Sequence, residues 1–243
     1  MKFTGLELLL EKEVFGQHIA TKLVLHQLQG HLTNPSPSKP LVMSFHGWTG
    51  NGKTLVANLI AQSLYRQGVR SQFYHHFLSA IHFPHKEHSH LYGDNLRSWI
   101  KGNVSTCPKS VFVFDELDKM PPGVLDTLRG FMDYKSVVDN IDYRYAVFLF
   151  ISNSGGVDIV QKLLEAEENG RQREDLSLID FESLVEQGAF EDMNGGLHET
   201  QLIESGLVDL YVPFLPLTKE HVRQCVKKEF STWRYPATTS DIE

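Results

Sequence analysis

The sequence predicts a three-layer α/β fold: a central parallel sheet with helices packed on it, plus an incomplete small helical domain at the C-terminal end. Three observations carry this. Short apolar runs, LVMSF (41–45), VFVF (111–114) and YAVFLFIS (145–152), alternate with stretches of helical periodicity. Runs that short and that apolar suit buried strands, and their alternation with helices implies parallel pairing through crossovers. A glycine-rich loop follows the first run and opens directly into a helix. From about residue 158 the pattern turns mostly helical, and it ends in TKEHVRQCVKKEFS (218–231). The predicted division is a large domain over 1–217 and the start of a small helical domain over 218–243.

Taken in order, residues 6–33 read as a helix with FGQH (15–18) inside it or at its break, and NPSPSKP (34–40) as a turn. LVMSF is the first strand. Residues 54–67 form a helix with Leu55, Leu59, Ile60 and Leu64 at helical spacing. SQFYHHFLSA (71–80) is a strand, HFPHKEHSHLYGD (82–94) a polar histidine-rich loop, and NLRSWIKGNV (95–104) a helix. SVFVFDELDKM (110–120) begins as a buried strand, and PPGVLDTLRGFMD (121–133) begins a helix at proline. YAVFLFISN (145–153) is the next buried strand. YVPFLPL (211–217), apolar and punctuated by proline, closes the large domain, and the tail from 232 frays.

The 243 residues are 41% hydrophobic and 22% charged, with a net charge of −7, ordinary for a globular chain. That charge argues against a general binder of nucleic-acid backbone. No stretch approaches the roughly 20 apolar residues that span a bilayer. MKFTGLELLLEKE is too short and too charged for a signal peptide and reads as the first turns of a helix. Cys107 and Cys225 make neither a disulfide framework nor a zinc site by themselves. Asn103-Val104-Ser105 is a glycosylation sequon, of the kind chance also supplies.

HGWTGNGKT (46–54) contains Gly47, Trp48, Thr49, Gly50, Asn51, Gly52, Lys53 and Thr54, the G-x-x-x-x-G-K-[ST] pattern of a P-loop. Its glycines let successive N–H groups turn inward to phosphate oxygens, Lys53 supplies a compact positive charge, and the Thr54 hydroxyl is a ligand for Mg²⁺. Asp115 and Glu116 end an apolar strand, where open α/β sheets bind ligands. Asp115 is placed to hold the Mg²⁺ water shell and Glu116 to activate a water for attack on a γ-phosphate. An acidic helix start is the plainer account of such a pair. Asn153 closes the strand FLFIS, positioned for the γ-phosphate or the attacking water; Ser154-Gly155-Gly156 after it also makes it a turn asparagine. No N-K-x-D stretch of the guanine-reading kind follows the P-loop, which favours ATP.

Together these elements resemble AAA+ ATPases. FGQH resembles the V-x-G-Q element of Clp-type unfoldases, and DELDKMPPGVLDTLRGFMD resembles their D-E-I-E-K-A-H-P-D-V stretch. HGWTGNGKT, IHFPH (81–85), WIKGNVSTC (99–107), FDELDKM, GRQRED (170–175) and VPFLPL (212–217) look like torsins, over roughly residues 7–230. The resemblance implies that Phe15, Gly16 and Gln17 lie on the adenine side, that Lys53 and Thr54 serve phosphate and Mg²⁺, that Asp115 and Glu116 serve Mg²⁺ and water, and that Asn153 is the sensor-1 residue. It implies ATP and Mg²⁺ as cofactors, a homo- or hetero-oligomer, and a chaperone-like activity in the lumen of the endoplasmic reticulum and perinuclear space. Membrane contact would come only through a partner.

The departures matter as much. Clp-type proteins place an arginine just before the segment equivalent to VPFLPL, and ESGLVDLYVPFLPL has none. Torsins share this gap, and for them the arginine comes from the luminal domain of a membrane-bound activator of the lamina-associated-polypeptide type. Near-silent hydrolysis alone, with activation by that partner, follows. Arg171 and Arg173 are the nearest candidates for a finger in cis; a solvated charged helix is their plainer reading. Tyr92-Gly93 matches the unfoldase pore loop only in part. The Gly-Cys-Lys that torsins carry near the C-terminus lies beyond the last residue here. His75, His76, His82, His85, His88 and His90 read as a solvated rim suited to partner contact rather than a metal site. Two rival readings stand beside the torsin-type ATPase: an ATP-gated binding module with little turnover, and a Clp-like threading unfoldase dependent on Tyr92.

Overall fold

A computed structural model describes residues 4–134, 137–191, 203 and 205–232. Two helices open the chain, α1 (Thr4–Glu13) and α2 (His18–Thr33). The break anticipated at FGQH (15–18) falls between them. Gly16 has φ +69, a left-handed conformation that ends helical propagation at little cost only for glycine. After α2, with Ile19, Ala20, Val24 and Leu28 buried along one face, strand β1 (Leu41–His46) is buried at every position. Helix α3 (Lys53–Leu64) starts straight off the glycine loop.

β2 (Tyr74–Leu78), the short helix α4 (Ser79–His82) and α5 (Ser89–Thr106) follow. Here the prediction needs correcting: residues 89–94 belong to α5, not to a loop. The helix buries Gly93, Leu96, Ile100 and Val104, a 3-4-4 spacing whose first member has no side chain to reveal it. β3 (Val111–Asp115) is fully buried. Residues 121–133 do not form one helix. A 3-10 turn (Leu125–Leu128) runs into the four-residue α6 (Arg129–Met132), after Gly123 at φ +82. A hairpin unread in the sequence, β4 (Val137–Val138) with β5 (Ile141–Asp142), turns through Asp139 and Asn140, both at positive φ.

β6 (Val147–Ser152), α7 (Gly156–Glu168) and α8 (Glu182–Glu191) come next. Then β7 (Leu210–Pro213) takes the first residues of YVPFLPL into the sheet. α9 (Lys219–Thr232) is the last described element. The five-stranded sheet has the order β2-β3-β6-β1-β7. Its pairings are all parallel, among them His46 with Ser152 and Leu78 with Asp115. Two apolar clusters lie on its two faces, one around Phe112, Phe114, Phe148 and Phe150, the other around Met43, Phe45, Leu149 and Phe214. Because the strands run the same way, the carboxyl ends of β1, β3 and β6 share one edge. That edge collects the glycine loop, Asp115 and Asn153.

Candidate functional site

The loop after β1 holds its shape through close backbone contact. Gly47 has φ +142, and a Cβ there would sit 2.3 Å from the Phe214 carbonyl oxygen just past β7. Only glycine fits. His46, fully buried, shares a 2.6 Å hydrogen bond with Ser44 Oγ, and its Nδ1 lies 3.2 Å from the Ser154 carbonyl. Burial pushes its pKa down to about 4, so it is neutral at physiological pH and ties the start of the loop to the turn after β6. Trp48 is half exposed beside this turn.

Lys53 reaches back into the loop. Its Nζ donates to the carbonyls of Gly47 and Trp48, the latter at 2.9 Å, and to Asn153 Oδ1 at 3.1 Å. Burial pushes the ammonium's pKa down to about 8, against the opposing pull of Asp115 and Asp118. Thr54 Oγ1 donates to Asp115 Oδ2 at 2.8 Å. Burial by itself would raise the Asp115 pKa. Hydrogen bonds from His76 and Thr54 and from the Glu116 backbone N–H outweigh it and hold the carboxylate below its usual range. The structure therefore brings Lys53, Thr54, Asp115 and Asn153 together from three separate stretches. Glu116 stands beside them at φ +56 with its carboxylate on Lys119 Nζ at 2.8 Å.

The residues expected on the adenine side lie at the other end of the loop. Gln17 is buried, and its amide is fully engaged. Nε2 donates to the carbonyls of Asn51 at 3.0 Å and Leu215 at 2.7 Å, while Oε1 accepts from Leu215 N–H at 2.9 Å. Gly16 packs against the ring of His221 on α9, and Phe15 is half-buried next to it. Thr49 and Gly50 are exposed at the loop tip, and Gly52 caps α3 at φ +95.

Several participants escaped the sequence reading. His76 places Nε2 3.1 Å from Asp115 Oδ2, and Asp118 accepts from the Asn153 backbone at 3.3 Å. Strand alternation could have found His76, since β2 neighbours β3. Arg173 corrects an expectation. It is not on a solvated helix but 7% exposed, and donates to the carbonyls of Pro216 and Gly16. Arg171 pairs with Asp180 at 2.6 Å. Tyr92 is half-buried in α5, its ring 5.4 Å from Phe83. The histidines separate. His75 stacks on Phe112 at 5.0 Å, while His85 and His88 contact each other at the surface. Asn103 of the sequon sits on α5 with Nδ2 donating to the Trp99 carbonyl at 2.9 Å, and both cysteines are free thiols.

Residues 1–114 match the family model described as Torsin. Over that stretch, just under half of the chain, the sequence is similar to torsins. Among solved structures, the S. cerevisiae Hsp104–ADP complex matches with a TM-score of 0.66 at 19% identity, over 97% of this chain and 39% of that one. A closed-state reconstruction of Hsp104 with ATPγS and FITC-casein matches with a TM-score of 0.64 at 19% identity, over 96% and 39%. The chain thus shares the fold of these Hsp104 structures and spans about two fifths of the length of the Hsp104 chains, 39% in each case.

The donor set suits the nucleotide that the P-loop anticipates. A threonine hydroxyl and a deprotonated aspartate are hard oxygen ligands, and Mg²⁺ is commonly held by one or two such groups together with substrate phosphates. A buried lysine beside positive-φ glycines is the matching provision for the phosphates themselves.

Proposed function

We propose that this torsin-like chain binds ATP with Mg²⁺ and hydrolyses it, weakly alone and faster with a membrane-bound activator whose luminal domain supplies an arginine. The hydrolysis would drive chaperone-like remodelling of proteins in the lumen of the endoplasmic reticulum and nuclear envelope, by a homo- or hetero-oligomer. The observation that carries the ATP reading is the 2.8 Å bond from Thr54 Oγ1 to Asp115 Oδ2. It sets the loop hydroxyl and the strand-end carboxylate at one point, as a bridging cation requires.

In this reading Gly47–Thr54 cradle the phosphates through backbone N–H groups, and Lys53 adds a fixed positive charge. Thr54 and Asp115 hold Mg²⁺, which supplies neutralisation of phosphate charge when bound. Asn153, fixed by Lys53 on one side and Asp118 on the other, orients the attacking water. Glu116 accepts its proton, as a carboxylate can once it faces the water rather than Lys119.

Both arginines near the chain's own site are engaged, Arg171 with Asp180 and Arg173 with backbone carbonyls. That supports an arginine supplied in trans, an interaction worth about 10³–10⁵ in rate. Among the described residues no helix is long and apolar enough to cross a membrane.

Steady-state ATP hydrolysis, with and without the luminal domain of an arginine-bearing activator, tests the proposal. Stimulation by orders of magnitude, abolished by Glu116→Gln, is the expected result. ATP binding without stimulation would instead favour a nucleotide-gated binding module. The Glu116–Lys119 ion pair at 2.8 Å, which turns the carboxylate aside, is the observation on that side.

A further inference from the structure

Strand β2 stands at the edge of the sheet and lays two polar groups toward helix α3. Residues two apart on a strand share a face. Tyr74 packs in one apolar cluster with Val56 and Ala57 of α3, so His76 points to the same side. Tyr74 Oη donates to Asn58 Oδ1 at 2.8 Å. His76 Nε2 lies 3.1 Å from Asp115 Oδ2, the oxygen that also accepts from Thr54 Oγ1 at 2.8 Å. Thr54 and Asn58 are one turn apart on α3. The edge strand therefore grips two successive turns of α3, one directly and one through Asp115.

Three donors fix the Asp115 carboxylate. Oδ2 takes Thr54 and His76, and Oδ1 accepts from the Glu116 N–H at 2.8 Å. The Asp115 side chain is 9% exposed and that of His76 25%. An ionised carboxylate only accepts hydrogen bonds, so Nε2 carries the proton in this contact whatever the charge of the ring. Two of the donors belong to the phosphate loop and the acidic pair themselves. His76 comes from a separate strand, and neither motif requires it.

We propose that His76 is the positioning residue for Asp115 and that it makes the cation site selective for Mg²⁺ over Ca²⁺. This rests on the Mg²⁺–ATP reading above and deepens it. The Nε2–H bond sets the direction in which the carboxylate faces Thr54 Oγ1. Two hard oxygens are thereby held at a set spacing before a cation arrives. Mg²⁺ demands near-ideal octahedral geometry, whereas Ca²⁺ accepts irregular arrangements of more distant oxygens. Without His76 the carboxylate is free to swing on the β2 side. That swing costs Mg²⁺ its geometry and leaves Ca²⁺ almost indifferent. Partners that orient ligating groups from outside are worth about 10–100-fold in metal affinity.

The test measures ATP affinity by calorimetry with Mg²⁺, with Ca²⁺ and with EDTA, for the wild type, His76→Leu and His76→Gln. Leucine keeps bulk without a donor, and glutamine carries an amide N–H at a reach similar to Nε2. The expected result for His76→Leu is Mg²⁺–ATP affinity weakened ~10-fold or more, with Ca²⁺–ATP within about three-fold and metal-free ATP within about two-fold of wild type. His76→Gln should bring Mg²⁺–ATP affinity back to within about three-fold of wild type. Unchanged metal-free binding also shows that the leucine variant is folded. Equal losses in all conditions would make His76 a packing residue and overturn the inference. So would equal losses with Mg²⁺ and Ca²⁺, an unchanged Mg²⁺–ATP affinity, or a glutamine variant as weak as the leucine one. A wild type that binds ATP no better with Mg²⁺ than with EDTA would overturn the Mg²⁺–ATP reading itself, and this inference with it.

Discussion

Gln17 offers the most direct check on how the loop is held. Its buried amide satisfies two carbonyls, Asn51 and Leu215, and one N–H, that of Leu215, across nearly the whole length of the chain. Gln17→Ala removes all three partners at once. A buried polar group left unpaired costs about 1–3 kcal/mol. Some relaxation and water entry are expected, so a total near 3 kcal/mol is a reasonable figure, set against a domain stability of about 5–15 kcal/mol. For a domain of this size that corresponds to a fall in Tm of roughly 6–12 °C. Urea unfolding followed by circular dichroism measures it. Gln17→Glu sharpens the test. It keeps the acceptor for Leu215 N–H but aims an oxygen at two carbonyl oxygens. The carboxyl's folded pKa would rise above its unfolded value, so the folded state retains its proton longer and the penalty grows as pH rises past the unfolded pKa. A Gln17→Ala protein within about 0.5 kcal/mol of wild type, the range of an ordinary surface change, would refute the claim that this amide locks the loop.

Gly47→Ala should lose about 2–4 kcal/mol and most ATP binding, because its φ of +142 and the Phe214 carbonyl 2.3 Å from a Cβ leave no room; thermal unfolding and nucleotide titration would show both. Lys53 has its pKa lowered to about 8 from its ordinary 10.5. Between these values the unfolded chain binds the extra proton, so wild-type stability relative to Lys53→Met should rise with pH over that window, read from urea midpoints. Asp180 is held at about 2, chiefly by its hydrogen bond from Arg171. That contribution is present above the ordinary 3.8 and is lost as pH falls through about 2. Arg171→Ala should therefore destabilise at neutral pH and converge with wild type in acid, while an NMR titration shows the Asp180 pKa rising.

Local signals in the chain read well where one stretch completed its own pattern. HGWTGNGKT stands between LVMSF and a helix, and strand, loop and helix appear in that order. VFVFD and VFLFIS are apolar at every position before their polar ends and became the central strands β3 and β6. Where the pattern depended on a neighbour, it faded. β7 is four residues long, ends in proline and lies at the sheet edge. Proline is tolerated there because an outward N–H has no strand to meet, yet in sequence it reads as a breaker. The first turns of α5 are polar with a buried glycine, so no apolar stripe marked them.

The sequence by itself determined the phosphate loop, the buried strands and the polar residues at their ends, because each is written in consecutive residues under short-range rules of sterics and hydrophobic spacing. The tertiary structure alone decided how those ends meet. Parallel pairing puts Asp115 beside Thr54, and strand adjacency brings His76 to the same carboxylate. Chain closure buries Arg173 between residues 16 and 216, although its neighbours Arg171, Glu174 and Asp175 read as a charged surface. Such contacts join residues far apart in the chain, and no local rule specifies which distant carbonyl a side chain will find.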